Sequence, residues 1–165
     1  MPNKKKKQDS LMDKDDMEIV CDLDLNKYLG KWFEIAKFSA RGQKGLNNVT
    51  ALYTLKKSGK IAVYNSGYKK NKKIGIRGSA WLRNKNCSGA LYVRFFWPSK
   101  AEYNVIKLAP DYRYALVMGD SKSKLWILSR TAKMNKKDYY EILKFLDENN
   151  FNTEKLMKTI QNKQV

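Results

Sequence analysis

The run Leu25-Asn26-Lys27-Tyr28-Leu29-Gly30-Lys31-Trp32-Phe33-Glu34-Ile35-Ala36-Lys37-Phe38 changes character at Gly30. Beyond the glycine its residues alternate as in a strand, with Trp32, Glu34, Ala36 and Phe38 sharing one face. That face mixes large aromatics with a carboxylate. A sandwich core prefers uniformly aliphatic faces, whereas a barrel that keeps an internal cavity can line it with aromatics and a few polar groups. The same mixture recurs downstream. Leu91, Val93, Phe95 and Trp97 share one face of a second strand, and Lys124, Trp126, Leu128 and Arg130 one face of a third.

Working outward, eight segments rich in β-branched and aromatic residues read as strands: 31–39, 48–55, 60–68, 74–82, 91–97, 103–108, 113–119 and 124–130. Short connections carrying Gly, Pro, Asn, Asp, Ser or Lys separate them, all short enough for hairpins or modest loops. Eight hairpin-connected strands at this spacing predict an all-β fold, an eight-stranded antiparallel up-and-down barrel. The period then changes. Asn135 can cap a helix in which Tyr139, Ile142, Leu143 and Leu146 fall at i, i+3, i+4 and i+7, and Asn149-Asn150 ends it. This C-terminal helix is expected to pack on the barrel's outer wall, with a short final strand near 156–161. The 165 residues make one domain over 21–165, preceded by a flexible charged arm over 1–20.

Thirty-four basic and sixteen acidic residues give a net charge of +18. Lysines 4–7 and 14 balance Asp9, Asp13, Asp15, Asp16 and Glu18 in the arm, so the excess lies in the barrel. Such a domain attracts anionic partners, although lysine reads phosphates and bases less specifically than arginine. The chain has no histidine, which removes the commonest general base and metal ligand. Two cysteines without a CxxC pair, no glycine-rich phosphate loop and scattered carboxylates leave no catalytic or metal constellation. A non-enzymatic protein without metal or cofactor is the expectation. The polar stretch 8–18 is not a secretory signal, so the chain as written reads as cytoplasmic.

Three signatures in order resemble those of one family. Residues 25–37 resemble the opening G-x-W segment of lipocalins, Pro110-Asp111-Tyr112 their second motif, and Leu125-Trp126-Ile127-Leu128-Ser129-Arg130 their third. The bacterial lipocalin and apolipoprotein D-like branch is the nearest in pattern, over about 22–161, and its members are secreted or anchored to an outer membrane. The resemblance implies a calyx that binds a hydrophobic small molecule. Leu23, Leu25, Tyr28 and Leu29 would plug one end, with Gly30 and Trp32 at the floor, Arg130 across the indole, and Asp111 and Tyr112 in a turn at that end. With the family pattern fixing the inward face, Glu34, Ala36, Ala51, Tyr53, Val63, Asn65, Phe95, Tyr114, Leu116, Trp126 and Leu128 point inside. Glu34, Ala36, Tyr53, Asn65, Phe95, Tyr114 and Trp126 are the expected ligand-binding residues.

Two departures from the family matter. The first inter-strand loop, Ser39-Ala40-Arg41-Gly42-Gln43-Lys44-Gly45, is more basic and glycine-rich, which implies a more mobile portal. Cys21 follows no apolar signal, so lipid anchoring is not carried over. In the implied fold Cys21 and Cys87 meet near the closed end within reach of a disulfide, while a reducing compartment would keep both thiols free. The expected activity is transport of a fatty acid, lysophospholipid or similar amphiphile in the cavity. The alternative is a basic barrel that binds nucleic acid or anionic membrane on its surface through Lys69, Lys70, Lys72 and Lys73; no specific nucleic acid is expected, and weak association with anionic lipid surfaces is compatible with either.

Overall fold

The computed structural model describes residues 17–38 and 45–163. A one-turn helix α1 (Leu25–Tyr28) is capped by Asp24, whose carboxylate accepts the Asn26 N–H at 2.9 Å. Gly30 then turns the chain into β1 (Gly30–Phe38) at φ +98°, a conformation that a side chain would strain. The strands that follow are β2 (Asn47–Leu55), β3 (Ile61–Lys69), β4 (Lys72–Asn84), β5 (Cys87–Arg94), β6 (Ala101–Leu108), β7 (Tyr114–Met118) and β8 (Leu125–Ser129). Each pairs antiparallel with the next, and β1 pairs with both β8 and β2, so the eight close into a barrel. The β3–β4 hairpin turns on Lys70 and Asn71, both at positive φ, as a two-residue turn between twisted strands requires.

A ninth strand, β9 (Leu156–Lys158), pairs with the upper half of β1. The residues after it bridge the seam where β1 parts from β2. The Gln161 amide donates to the carbonyls of both Glu34 and Val49 at 2.9 Å, and the Asn48 N–H donates to Ile160. Outside the barrel lies α2 (Lys136–Glu148), capped by Asn135, with Ile142 and Leu146 fully buried against Leu116, Met118, Leu125 and Ile127 of β7 and β8. Asp138, on the first turn of α2, is held by a two-pronged ion pair with Arg113 at 2.8 and 2.9 Å.

Four expectations are corrected here. Ala36, Tyr114 and Leu116 do not face the cavity; all three are buried in the core between barrel and helix. In β1 the pairing register slips between Glu34 and Ala36, and this bulge turns Ala36 to the outer side with Ile127. In β7 all five residues are buried because the strand has core on both faces, so Tyr114, Leu116 and Met118 face α2 while Ala115 and Val117 face inward. Finally, β5 ends at Arg94, so Trp97 leaves the strand whose face it was expected to share and stands 82% exposed.

The N-terminal side of the domain begins before residue 21. Met17 and Ile19 are buried, and the Val20 N–H donates to the Val105 carbonyl at 2.8 Å. A Cβ on Gly89 would lie 2.1 Å from the Val20 carbonyl oxygen, so only glycine admits this segment. Cys21 and Cys87 are joined by a disulfide there. The rest of the expected arm, 1–16, and the basic portal segment 39–44 lie outside the described residues.

Candidate functional site

At the closed end a column of side chains runs inward from solvent. The Arg130 guanidinium lies 3.7 Å from the centre of the Trp32 ring and donates to the Lys31, Lys27 and Tyr28 carbonyls at 2.9, 2.7 and 3.1 Å. Trp32, wholly buried, donates its indole N–H to the Tyr28 carbonyl at 2.8 Å. Tyr112 ties the plug to the turn before β7 by accepting the Asp24 N–H at 2.8 Å, and Asp111 accepts from the Arg113 backbone and guanidinium. Gly30, Trp32, Asp111, Tyr112 and Arg130 thus all lie at the closed end.

Above this floor is a cavity of about 320 Å³, near the lower end of the ~300–1,000 Å³ usual for small-molecule sites. Its walls are largely aliphatic, with Ile61, Val63, Leu91, Val93, Val117 and Leu128 among them. Glu34, Tyr53, Asn65, Phe95 and Trp126 all line it; Ala36 and Tyr114 do not. The inward alternation expected of β2, β3 and β8 therefore matches the cavity, and the exceptions are the bulged end of β1 and the doubly buried β7.

Three tyrosines form the polar base of the cavity. Tyr28 of α1 and Tyr103 of β6 bring their hydroxyls to 2.6 Å, and Tyr103 donates to Tyr53 of β2 at 3.0 Å. Each phenol has one hydrogen. If Tyr103 spends its own on Tyr53, Tyr28 must donate to Tyr103, and the Tyr53 hydrogen is left to meet a guest. Tyr53 and Tyr103 keep part of their surface on the cavity but are otherwise ringed by protein, and burial pushes Tyr53 up to about 12 and Tyr28 and Tyr103 well above the ordinary phenol value. All three stay neutral at physiological pH. Tyr28 and Tyr103 had no sequence signal as a site pair, because the chain separation of 75 residues gives no local pattern.

Two further polar groups enter the cavity. The side-chain amide oxygen of Asn65 is buried and makes no hydrogen bond within the protein, an unpaired acceptor on a residue that lines the cavity. The Glu34 carboxyl is raised by burial, a rise that the Thr159 hydroxyl at 2.7 Å and the Lys37 charge moderate. No lysine or arginine among the described residues lines the cavity. Among the described residues no cluster of His, Cys, Asp and Glu could hold a metal ion.

A barrel plugged at one end, open at the other and holding an apolar cavity with a few polar groups is a calyx for small hydrophobic ligands. The model of the lipocalin-like domain matches residues 23–161, and the chain belongs to that family, whose members generally bind small hydrophobic molecules. Outer membrane lipoprotein Blc of Citrobacter freundii is 38% identical over 141 residues, covering 84% of this chain and 80% of that protein. Apolipoprotein D of Bos taurus is 36% identical over 149 residues, covering 84% and 77%. Insecticyanin of Manduca sexta shares the fold with a TM-score of 0.70 at 22% identity, over 90% of this chain and 86% of its own.

Proposed function

We propose that this protein is a non-enzymatic carrier of a single-chain amphiphile, such as a fatty acid or lysophospholipid. The carrying observation is the cavity itself: aliphatic walls, an aromatic mouth at Phe95 and Trp126, and no cation among its described lining residues. An anionic headgroup therefore has no partner in the interior and is placed at the open rim, where Lys69, Lys70, Lys72 and Lys73 stand exposed on the β3–β4 hairpin. Tyr53 offers a donor deeper down for a guest that carries a hydroxyl. One relative is named an apolipoprotein, which agrees with a lipid guest. Burying about ten methylenes is worth on the order of 8 kcal/mol gross, which ordering costs reduce to roughly micromolar affinity.

Titration of a long-chain fatty acid against tryptophan emission tests the reading, with native mass spectrometry of the purified protein to detect co-purified lipid. A saturable one-to-one response, weakened roughly tenfold by Trp126→Ala, is expected. A fatty acid should also bind better than its methyl ester at low salt. No saturable binding of any single-chain lipid by the folded protein would sink the carrier reading.

A further inference from the structure

The connection from β5 to β6 stands at the open end of the barrel and carries three successive aromatics, Phe95, Phe96 and Trp97. Phe95 lines the cavity, whereas Phe96 is 71% and Trp97 82% exposed. No other large apolar side chain among those described is as exposed as Trp97. Leaving two adjacent aromatic rings in water beside a ligand mouth is costly unless something covers them. Among the described residues nothing does.

The surroundings are cationic. Arg94 reaches across the base of the loop to the Ser99 carbonyl at 3.3 Å, and the Lys100 ammonium sits 4.0 Å from the Tyr92 ring centre. The neighbouring β3–β4 hairpin adds Lys69, Lys70, Lys72 and Lys73, with Ile74 41% exposed. The β7–β8 connection contributes Lys122 and Lys124. Against these cations the same end carries Asp120, paired to Lys124 at 3.0 Å, Glu102, which accepts from Asn104, and, on the far side of Lys122, Asp147, Glu148 and Glu154. Cations therefore outnumber carboxylates around an aromatic tip.

We infer that the open end docks on an anionic lipid bilayer, with Phe96 and Trp97 entering the headgroup–acyl boundary and the lysines meeting acidic headgroups. Amphipathic aromatics settle at that depth, and each lysine near an anionic surface is worth about a fivefold gain in partitioning. A membrane suits this patch better than a nucleic acid, because the two rings form one apolar tip at a lipid-sized mouth rather than a track of stacking platforms. The docking gives the proposed carrier a place to load its guest, and to that extent it rests on the carrier reading; the binding measured below does not.

Sedimentation with phosphatidylcholine vesicles, plain or with about one third phosphatidylserine, tests it, together with quenching of tryptophan by brominated acyl chains. Wild type is expected to bind the anionic vesicles at least about tenfold better than the neutral ones and to be quenched by the bromines. The double variant F96S/W97S should lose at least about tenfold in binding and most of the quenching, while its melting temperature and its titration with soluble fatty acid stay as in wild type. Trp126→Ala, which addresses the cavity, should sediment as wild type does. Absence of wild-type binding to anionic vesicles, equal binding to neutral ones, or undiminished binding of F96S/W97S would each overturn the inference. So would binding to a poly-uridine oligonucleotide that the same two substitutions abolish, with vesicles ignored.

Discussion

Removing the Arg130 side chain should unlatch the closed end without touching the cavity. The guanidinium makes one cation–π contact with Trp32 and three hydrogen bonds to carbonyls of the plug and of β1. A cation–π contact at a partly buried site is worth about 1 kcal/mol, and three hydrogen bonds from a charged donor, discounted for solvent around two of them, add about 2 kcal/mol. Arg130→Ala should therefore cost about 3 kcal/mol, which for a domain of this size lowers the melting temperature by roughly 6–12 °C. Arg130→Lys keeps a charge near the indole but cannot fork to three carbonyls, so it should lose about half of that. Thermal melts by circular dichroism, paired with fatty-acid titration, give both readouts. Fatty-acid affinity should be unchanged in either variant. A melting temperature of Arg130→Ala within about 2 °C of wild type would refute the latch. Loss of ligand with the melt unchanged would show that the two ends of the barrel have been interchanged.

The facing of β7 is testable by contrast: Val117→Trp should fill the cavity and abolish fatty-acid binding in a folded protein, whereas Leu116→Ala should destabilise by about 2–5 kcal/mol and leave affinity alone. Cutting the Cys21–Cys87 link by Cys87→Ser should cost roughly 4 kcal/mol by the loop-entropy model, seen as a lower melting temperature that reductant does not lower further. Two carboxylates should give opposite pH dependences. Burial raises Glu34, so the folded state holds that proton more tightly than the unfolded one; stability falls as pH rises from about 4.5 through the raised value, and Glu34→Gln should remove that loss. The hydrogen bonds from Arg113 lower Asp138, so its contribution is full above the ordinary carboxylate value and disappears as pH falls through the lowered one; Asp138→Asn should therefore melt earlier at neutral pH and match wild type in acid.

What could be read from the chain alone was whatever repeats locally. The alternation of Ala51 and Tyr53, of Val63 and Asn65, and of Trp126 and Leu128 is visible because one side of each strand meets the cavity and the other does not, and the structure lines the cavity with all six. The cap at Asn135 and the spacing of Ile142 and Leu146 are local for the same reason. Ala36 escaped because a bulge is a property of the pairing between two strands, and nothing in Glu34-Ile35-Ala36 marks it. Tyr-Ala-Leu-Val-Met, residues 114–118, offered no polar face from which to choose a side. Phe96 and Trp97 read as strand by composition, yet pairing of β5 with β6 stops at Val93 opposite Ala101. The tyrosine chain is assembled from α1, β2 and β6, and only the closed barrel brings the three together.

The division of charge follows from the same alternation that makes the cavity. An inward position in an apolar barrel would strip a lysine of water at a cost of several kcal/mol, and among the described residues no lysine enters the lining. Among the described residues the lining accordingly contains no lysine or arginine, and burial raises the pKa of the Glu34 carboxyl within it, a rise that the Thr159 hydroxyl moderates. For the amphiphile proposed above, chain length and head charge would then be sensed in different places. The interior responds to each methylene by about 0.8 kcal/mol, a contribution that salt scarcely alters. On that proposal the rim would respond to the headgroup through exposed lysines, whose attraction is screened within about 10 Å at ordinary ionic strength. Selectivity for an acid over its ester is therefore a property of the rim and should shrink as salt rises, while the gain per methylene holds. A protein with a cation built into its cavity would show the reverse, an acid–ester ratio that salt leaves untouched, because a buried pair is shielded from the solvent ions that do the screening.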